Sequence, residues 1–137
     1  MEIAIEYLNL YRTALKSAEL AYAPYSKFRV GAALLLADGS VVTGVNVENR
    51  SFGLTNCAER SAIYAAVSSG VKEFKALAIA TPDAEYPVSP CGACRQVISE
   101  FMGDTVPVVF GNSEKTLIQT SVSKLFPFDA LHELSEH

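Results

Sequence analysis

Three cysteines, Cys57, Cys91 and Cys94, are all the sulfur nucleophiles this chain has. Cys91 and Cys94 are three positions apart, which on a helix sets both on one face, within reach of one ion. An odd cysteine count makes a disulfide framework a poor default and a metal or catalytic role a better one. The two histidines, His132 and His137, fall in the last few residues, where chains tend to fray, so a metal here would be held by sulfur alone. Three thiolates on tetrahedral zinc leave a fourth position for water, the arrangement of a catalytic site. A closed structural site needs a fourth Cys or His nearby, and the sequence has none. A redox pair would need a thioredoxin-like context around C-x-x-C, which the pattern lacks.

Glu59 follows Cys57 by two positions. On an ordinary helix, Asn56-x-x-Glu59 reads as a capping box. Beside an open metal site, Glu59 is the natural general acid/base, because the attacking water must give up a proton. Arg60 could be a solvated helix residue; the sharper expectation is that it donates to a thiolate and keeps the metal acidic.

These residues need elements to hold them. Ala4, Leu8, Tyr11, Leu15, Ala18 and Tyr22 recur at helical spacing, with Pro24 ending the run. Phe28 to Leu36 and Val41 to Val47 read as strands joined by a hairpin at Ala37-Asp38-Gly39-Ser40. Asn56 to Ser69 reads as a helix capped by Asn56 and stopped at Gly70, burying Ala58, Ala62, Ala65 and Ala66. Ala76 to Thr81 is a short apolar run suited to a central strand. A further helix is expected to open at Ser89-Pro90, with Cys94, Val97, Ile98 and Phe101 on its apolar face. Val106 to Phe110 and Lys115 to Thr120 read as the last strands, before a short, helical end broken by Pro127. The order α-β-β-α-β-α-β-β-α predicts one domain, residues 1–137: an α/β fold, a three-layer α/β/α sandwich with a mixed five-stranded sheet. In such a fold, helices that follow parallel strands start at the carboxyl edge of the sheet, which would bring Cys57 beside Cys91 and Cys94.

The 137 residues are half apolar and carry a formal net charge of −4. A chain of this size buries enough surface to need no disulfides. Its acidity argues against contact with a phosphate backbone, so no nucleic-acid partner is expected. Glu2 and Glu6 stand where a signal peptide would be basic, and no run approaches a membrane span. A cytoplasmic protein with no membrane partner is expected.

Cys57-Ala58-Glu59-Arg60 with Pro90-Cys91-Gly92-Ala93-Cys94-Arg95 resembles the zinc-deaminase signature in its three-cysteine form. Ala23-Pro24-Tyr25-Ser26-Lys27-Phe28, Val30-Gly31-Ala32-Ala33-Leu34 and Asn46-Val47-Glu48-Asn49 look like the small homotetrameric cytidine deaminases. That resemblance spans nearly the whole chain. It implies hydrolytic deamination of free cytidine and deoxycytidine by a zinc-activated water, giving uridine or deoxyuridine and ammonia, as in pyrimidine salvage. It implies one Zn²⁺ per chain on Cys57, Cys91 and Cys94, with Glu59 as the proton carrier. It also implies that Phe28 packs on the pyrimidine, that Asn46 and Glu48 bond the ribose, and that backbone near Ala58 and Cys91 meets the base edge. Tyr25, Phe52 and Phe128 resemble aromatic positions that line contacts of a homotetramer or close a neighbour's pocket. Two features depart from the family pattern. Phe52 stands where relatives often have Tyr, and Leu125-Phe126-Pro127-Phe128 is shorter than usual, leaving Phe126 and Phe128 as alternative covers for the site. The competing classes are a deaminase of an antibiotic nucleoside, a polynucleotide deaminase, which would need a basic or aromatic track, and a structural zinc domain, which would leave Glu59 without a purpose.

Overall fold

The computed structural model describes residues 2–135, and its elements follow the expected order. Helix α1 spans Ile5–Ser17 and tightens into a 3-10 turn at Ala18–Leu20. Strands β1 (Gly31–Leu36) and β2 (Val41–Val45) pair antiparallel. Gly39, at φ 89°, closes their turn, and Asp38 Oδ1 accepts from the Ser40 amide at 2.9 Å. Turns that match strand twist need positive φ, which glycine adopts without strain. Helix α2 (Ala58–Ser68), β3 (Phe74–Ala80), α3 (Gly92–Phe101), β4 (Pro107–Gly111), β5 (Ile118–Ser121) and α4 (Val122–Leu125) follow.

The sheet order is β2-β1-β3-β4-β5; β3 and β4 pair in parallel and every other neighbour is antiparallel. Because β1 opposes both β2 and β3, the strands β2, β3 and β4 all run the same way. Only β3 and β4 touch as a parallel pair, since the tight hairpin keeps β1 between β2 and β3. The consequence for the site survives: α2 follows β2 and α3 follows β3, so both helices start at one sheet edge.

One face carries α1, with Leu10, Tyr11 and Ala14 packed on Ala33, Ala78, Ala80 and Val109. The other carries α2, α3 and α4, whose Ala62, Ala66, Ile98, Val122 and Leu125 pack on Leu34, Leu77, Ile79 and Val108. This is the three-layer sandwich expected. A Cβ on Gly44 would lie 2.3 Å from the Ala62 nitrogen and 2.7 Å from the Ala58 carbonyl oxygen. Backbone therefore rides on backbone where β2 meets the first turns of α2, and the cysteine-bearing end of that helix is fixed to the sheet.

Several boundaries differ from expectation, for local reasons. Cys57, not Asn56, caps α2. Asn56 instead pairs its backbone with Val47, while its Nδ2 donates to Ser61 Oγ at 3.2 Å. The capping box is therefore not formed. Helix α3 is capped by Cys91, two residues past Ser89. The Ser89 hydroxyl and Pro90 carbonyl are occupied by Arg95, at 2.8 Å each. Residues 28–30 precede β1 rather than belonging to it: one backbone bond, from the Asn46 amide to the Val30 carbonyl, continues the pairing, and the Asn46 side chain supplies the other bonds there. The β5 strand starts at Ile118, after a 3-10 turn at Glu114–Thr116. Helix α2 buries Ile63 and exposes Ala65, and α1 buries Leu10 and Ala14 more deeply than Leu8 and Leu15. His137 lies outside the described residues. No described helix is long and apolar enough to cross a membrane.

Candidate active site

The two helix starts bring the three cysteines together. Cys57 caps α2, Cys91 caps α3, and Cys94 sits in the first turn of α3. Their sulfurs lie within 4.8 Å of one another, and Cys57 Sγ is 3.9 Å from Cys91 Sγ. Tetrahedral zinc with Zn–S bonds of about 2.3 Å requires sulfur–sulfur edges of about 3.8 Å. The donor set is soft, three-fold and already near that spacing, so it fits zinc. Cys91 Sγ also accepts from the Cys94 amide at 3.5 Å, taking the place of the usual capping oxygen.

The sulfurs share charge unequally. Cys57 is pushed down to about 5, chiefly by a hydrogen bond from Cys94, with Arg60 adding to it. That same bond, together with burial, holds the Cys94 proton and raises its pKa. The two sulfurs thus titrate as a pair, the charge favoured on Cys57 and the proton on Cys94, and a metal that competes for the sulfurs displaces that proton.

Glu59 is 5% exposed, and burial pushes its carboxyl up to about 7, with the Cys57 charge adding to the rise. A group that takes and returns a proton works best with a pKa near the operating pH. Arg60 Nη2 lies 3.2 Å from Cys57 Sγ, the contact expected of it, while its Nε is buried with no partner among the described residues. A hydrogen bond from Arg60 drains charge from sulfur. Arg60→Ala is accordingly expected to lower zinc affinity or turnover by about 10–100-fold while leaving KM near its original value. A competitive zinc titration alongside steady-state kinetics checks this, and a change confined to KM would remove the role.

Glu59, Cys57 and Cys91 open into a cleft of about 180 Å³, walled by Phe28, Val30, Asn46, Thr55, Ile79, Thr81, Val88 and Ser89. A larger hollow of about 440 Å³ lies under the C-terminal segment, between Ser99, Asp104, Phe126, Phe128 and His132. The smaller cleft is the candidate site, because it alone of the two meets the sulfurs and a buried acid.

Phe28 and Asn46 stand in the cleft as expected. Asn46 is already engaged: its Oδ1 accepts from Val30 N at 2.9 Å and its Nδ2 donates to the Phe28 carbonyl at 2.8 Å. Glu48 lies outside the lining. It accepts from the Tyr25 and Ser26 amides at 3.1 Å each and from the Ser26 hydroxyl, whose bond keeps the carboxyl below its usual range. The Ala58 side chain is wholly buried, so only its backbone can face a ligand. Phe128 is 90% exposed and borders the larger hollow, not the cleft of its own chain. Tyr25 and Phe52 form a tilted ring pair, 6.2 Å between centroids and 59° between planes, both exposed.

Arg95 was not singled out by its sequence. It binds the Pro90 carbonyl, Ser89 Oγ and, at 2.7 Å, the Leu125 carbonyl, tying the Cys91 loop to the end of α4. Its place after Cys94 was the one available cue; its partner 30 residues on leaves no local signal. Thr55, Thr81 and Val88 were missed for the same reason.

The family described as the cytidine and deoxycytidylate deaminase zinc-binding region matches residues 5–111, a span that holds all three cysteines and Glu59. The chain belongs to that family. It is a zinc-binding deaminase, a hydrolase of C–N bonds. It is 55% identical over 119 residues to the cytidine deaminase of Sporosarcina psychrophila, covering 87% of each chain. The crystal structure of cytidine deaminase from Burkholderia pseudomallei superposes with a TM-score of 0.83 at 46% identity, over 87% of this chain and 94% of that one. A blasticidin-S deaminase from Bacillus cereus is more distant, 32% identical over 132 residues, covering 91% of this chain and 92% of its own.

Proposed function

We propose that this deaminase hydrolyses the exocyclic amine of free cytidine and deoxycytidine, with Phe28, Asn46, Glu48 and the Ala58 backbone binding substrate and Glu59 carrying the protons. The observation that supports this most directly is the meeting of three sulfurs and one buried acid in a cleft with a mainly apolar wall. Zinc on Cys57, Cys91 and Cys94 supplies the acidity that makes water a nucleophile at neutral pH. Phe28, Val30 and Ile79 offer apolar surface to a flat ring and exclude bulk solvent around it. Glu59, poised near neutrality, accepts a proton from water and passes it to ring nitrogen N3, then takes the remaining proton of the added hydroxyl and delivers it to the departing amine. The Ala58 amide, at the first helical position, has no acceptor within its helix and is free to meet the base edge.

Glu48 supports the reading of the substrate class. Its carboxylate lies beyond the cleft wall at the end of the β2 segment, where a sugar hydroxyl can share it. A phosphate there would face like charge, and discrimination of that kind is strong in a partly desolvated site. Cytidine and deoxycytidine are therefore expected to release ammonia, whereas 3′-phosphorylated cytidine, adenosine and a cytosine-containing oligonucleotide are not. Blasticidin S belongs in the same panel. Efficient turnover of the oligonucleotide would overturn the substrate class, and preference for the antibiotic would move the reading to that branch.

The exposed ring pair Tyr25–Phe52 and the 90%-exposed Phe128 are proposed as subunit contacts of a cytoplasmic homotetramer, Phe128 reaching a neighbour's cleft. Sedimentation equilibrium giving a 14.7 kDa monomer would remove that arrangement.

A further inference from the structure

The last ladder pair between β1 and β3 is Gly31 with Ala80. Beyond it the two chains pass on to the cleft, Phe28 and Val30 on one side, Thr81 on the other. No ladder pair joins these extensions beyond Gly31 and Ala80, yet both line the site. What joins them is Arg29 and Asp83. Asp83 Oδ2 accepts from the Arg29 amide at 2.9 Å and from its Nε at 3.0 Å, and Oδ1 accepts from Nη2 at 2.8 Å. A carboxylate that receives a guanidinium fork and a backbone N–H together is fixed in orientation as well as in charge.

Asp83 is itself anchored. The Thr81 amide donates to the Gly111 carbonyl at 3.1 Å, the Ala84 amide closes a turn on the Thr81 carbonyl at 3.1 Å, and Asn112 Nδ2 reaches the Ala84 carbonyl at 3.0 Å. The 81–84 turn is thus part of the β3–β4 edge. Residues 27–30, by contrast, have backbone bonds at their two ends, from the Lys27 amide to the Ala23 carbonyl at 3.0 Å and from the Asn46 amide to the Val30 carbonyl at 3.3 Å, and between these are held by side chains: Asn46 on one flank, Ser26 at the Phe28 amide, and Arg29 through Asp83. Lys27 inside this segment takes φ 62°, a left-handed conformation that a lysine holds only where its neighbours are fixed.

We propose that the Arg29–Asp83 pair is a clasp that positions Phe28 and sets the width of the cleft, so that the pair tunes substrate affinity without touching substrate or metal. This rests on the reading of the cleft as the nucleoside site. Exposed ion pairs add little to global stability, and these side chains are 44% and 27% exposed. The clasp acts on local geometry, where three bonds converge on one wall. Asp83 is held at about 2 by Arg29, so the pair stays charged across the working range.

The test uses Asp83→Asn, Arg29→Met and the double variant in the zinc-loaded protein. Each single change is expected to raise KM for cytidine at least fivefold, with kcat within threefold and zinc content unchanged. The double variant should be no worse than the worse single, because one clasp can be broken only once. Hydrogen exchange should quicken across residues 27–30 while β3 and α2 keep their protection. A rise in KM below fivefold, additive effects in the double variant, or a change in KM without faster exchange at 27–30 would each overturn the clasp. If the wild-type protein does not turn over cytidine, the nucleoside reading fails, and unchanged exchange at 27–30 in Asp83→Asn would still overturn the clasp separately.

Discussion

Glu59→Gln should bind zinc as the wild-type chain does and lose about 10⁴-fold or more in turnover. The substitution keeps volume and hydrogen-bonding shape but cannot carry a proton, and it removes both acid–base transfer and the charge that forms against the reacting ring. Glu59 is buried at the floor of the cleft, so no other carboxylate of the chain stands ready to replace it. Ammonia release, with zinc counted by elemental analysis, measures the effect; activity within tenfold of wild type would reduce Glu59 to a packing residue. A second signature separates this from misfolding. In the metal-free protein the Glu59 carboxyl is raised from 4.5 to about 7, mainly by burial. A carboxyl raised on folding costs stability as pH climbs from its unfolded value, and the cost levels off above its folded value. The full cost is of order 3 kcal/mol. Metal-free Glu59→Gln should therefore be more stable than metal-free wild type at pH 8, with the gap closing toward pH 4.5. Denaturant unfolding at the two pH values measures it.

How much of this could be read from the chain follows from which interactions are local. The hairpin turn was legible because Asp-Gly at positions 38–39 states its own geometry, and the apolar run from Ala76 states a buried strand. The cysteine cluster was legible once the element order put two helix starts on one sheet edge. Helix caps were read less well, since Asn56 and Ser89 are better capping residues than cysteine by ordinary propensity. Cysteine takes both places all the same: Cys91 Sγ accepts from the Cys94 amide, whereas Cys57 caps α2 without a side-chain bond. Asn46 and Glu48 were expected at the ribose; the structure shows them holding the 25–30 segment, a use that no spacing reveals. Arg29 with Asp83, 54 positions apart, and Arg95 with Leu125, 30 apart, left no sequence signal at all, because pairing across a fold depends on coordinates rather than pattern.

The replacement of a single cysteine should remove both zinc and activity, and the details should differ by position. Cys94 is buried at the start of α3, so Cys94→Ala deletes one ligand and leaves a small void; folding should persist while metal is lost. Cys91 both ligates and caps. Cys91→Ala should lose zinc and about 1 kcal/mol of stability in the metal-free protein, whereas Cys91→Ser keeps an acceptor for the Cys94 amide and should lose only the zinc. Cys57→Ala takes away the sulfur held near 5 and strands the Arg60 guanidinium that lies against it. Metal affinity in the intact protein should fall with falling pH, because protons compete for the thiolates, and binding near neutrality should release the proton held on Cys94. Calorimetry of zinc binding in buffers of different ionisation enthalpy counts that release directly. Two ligands make a far weaker site than three, since each thiolate supplies charge as well as geometry. A variant lacking any one of these cysteines that still carried one zinc per chain and full turnover would show that the sulfur cluster is not the metal site.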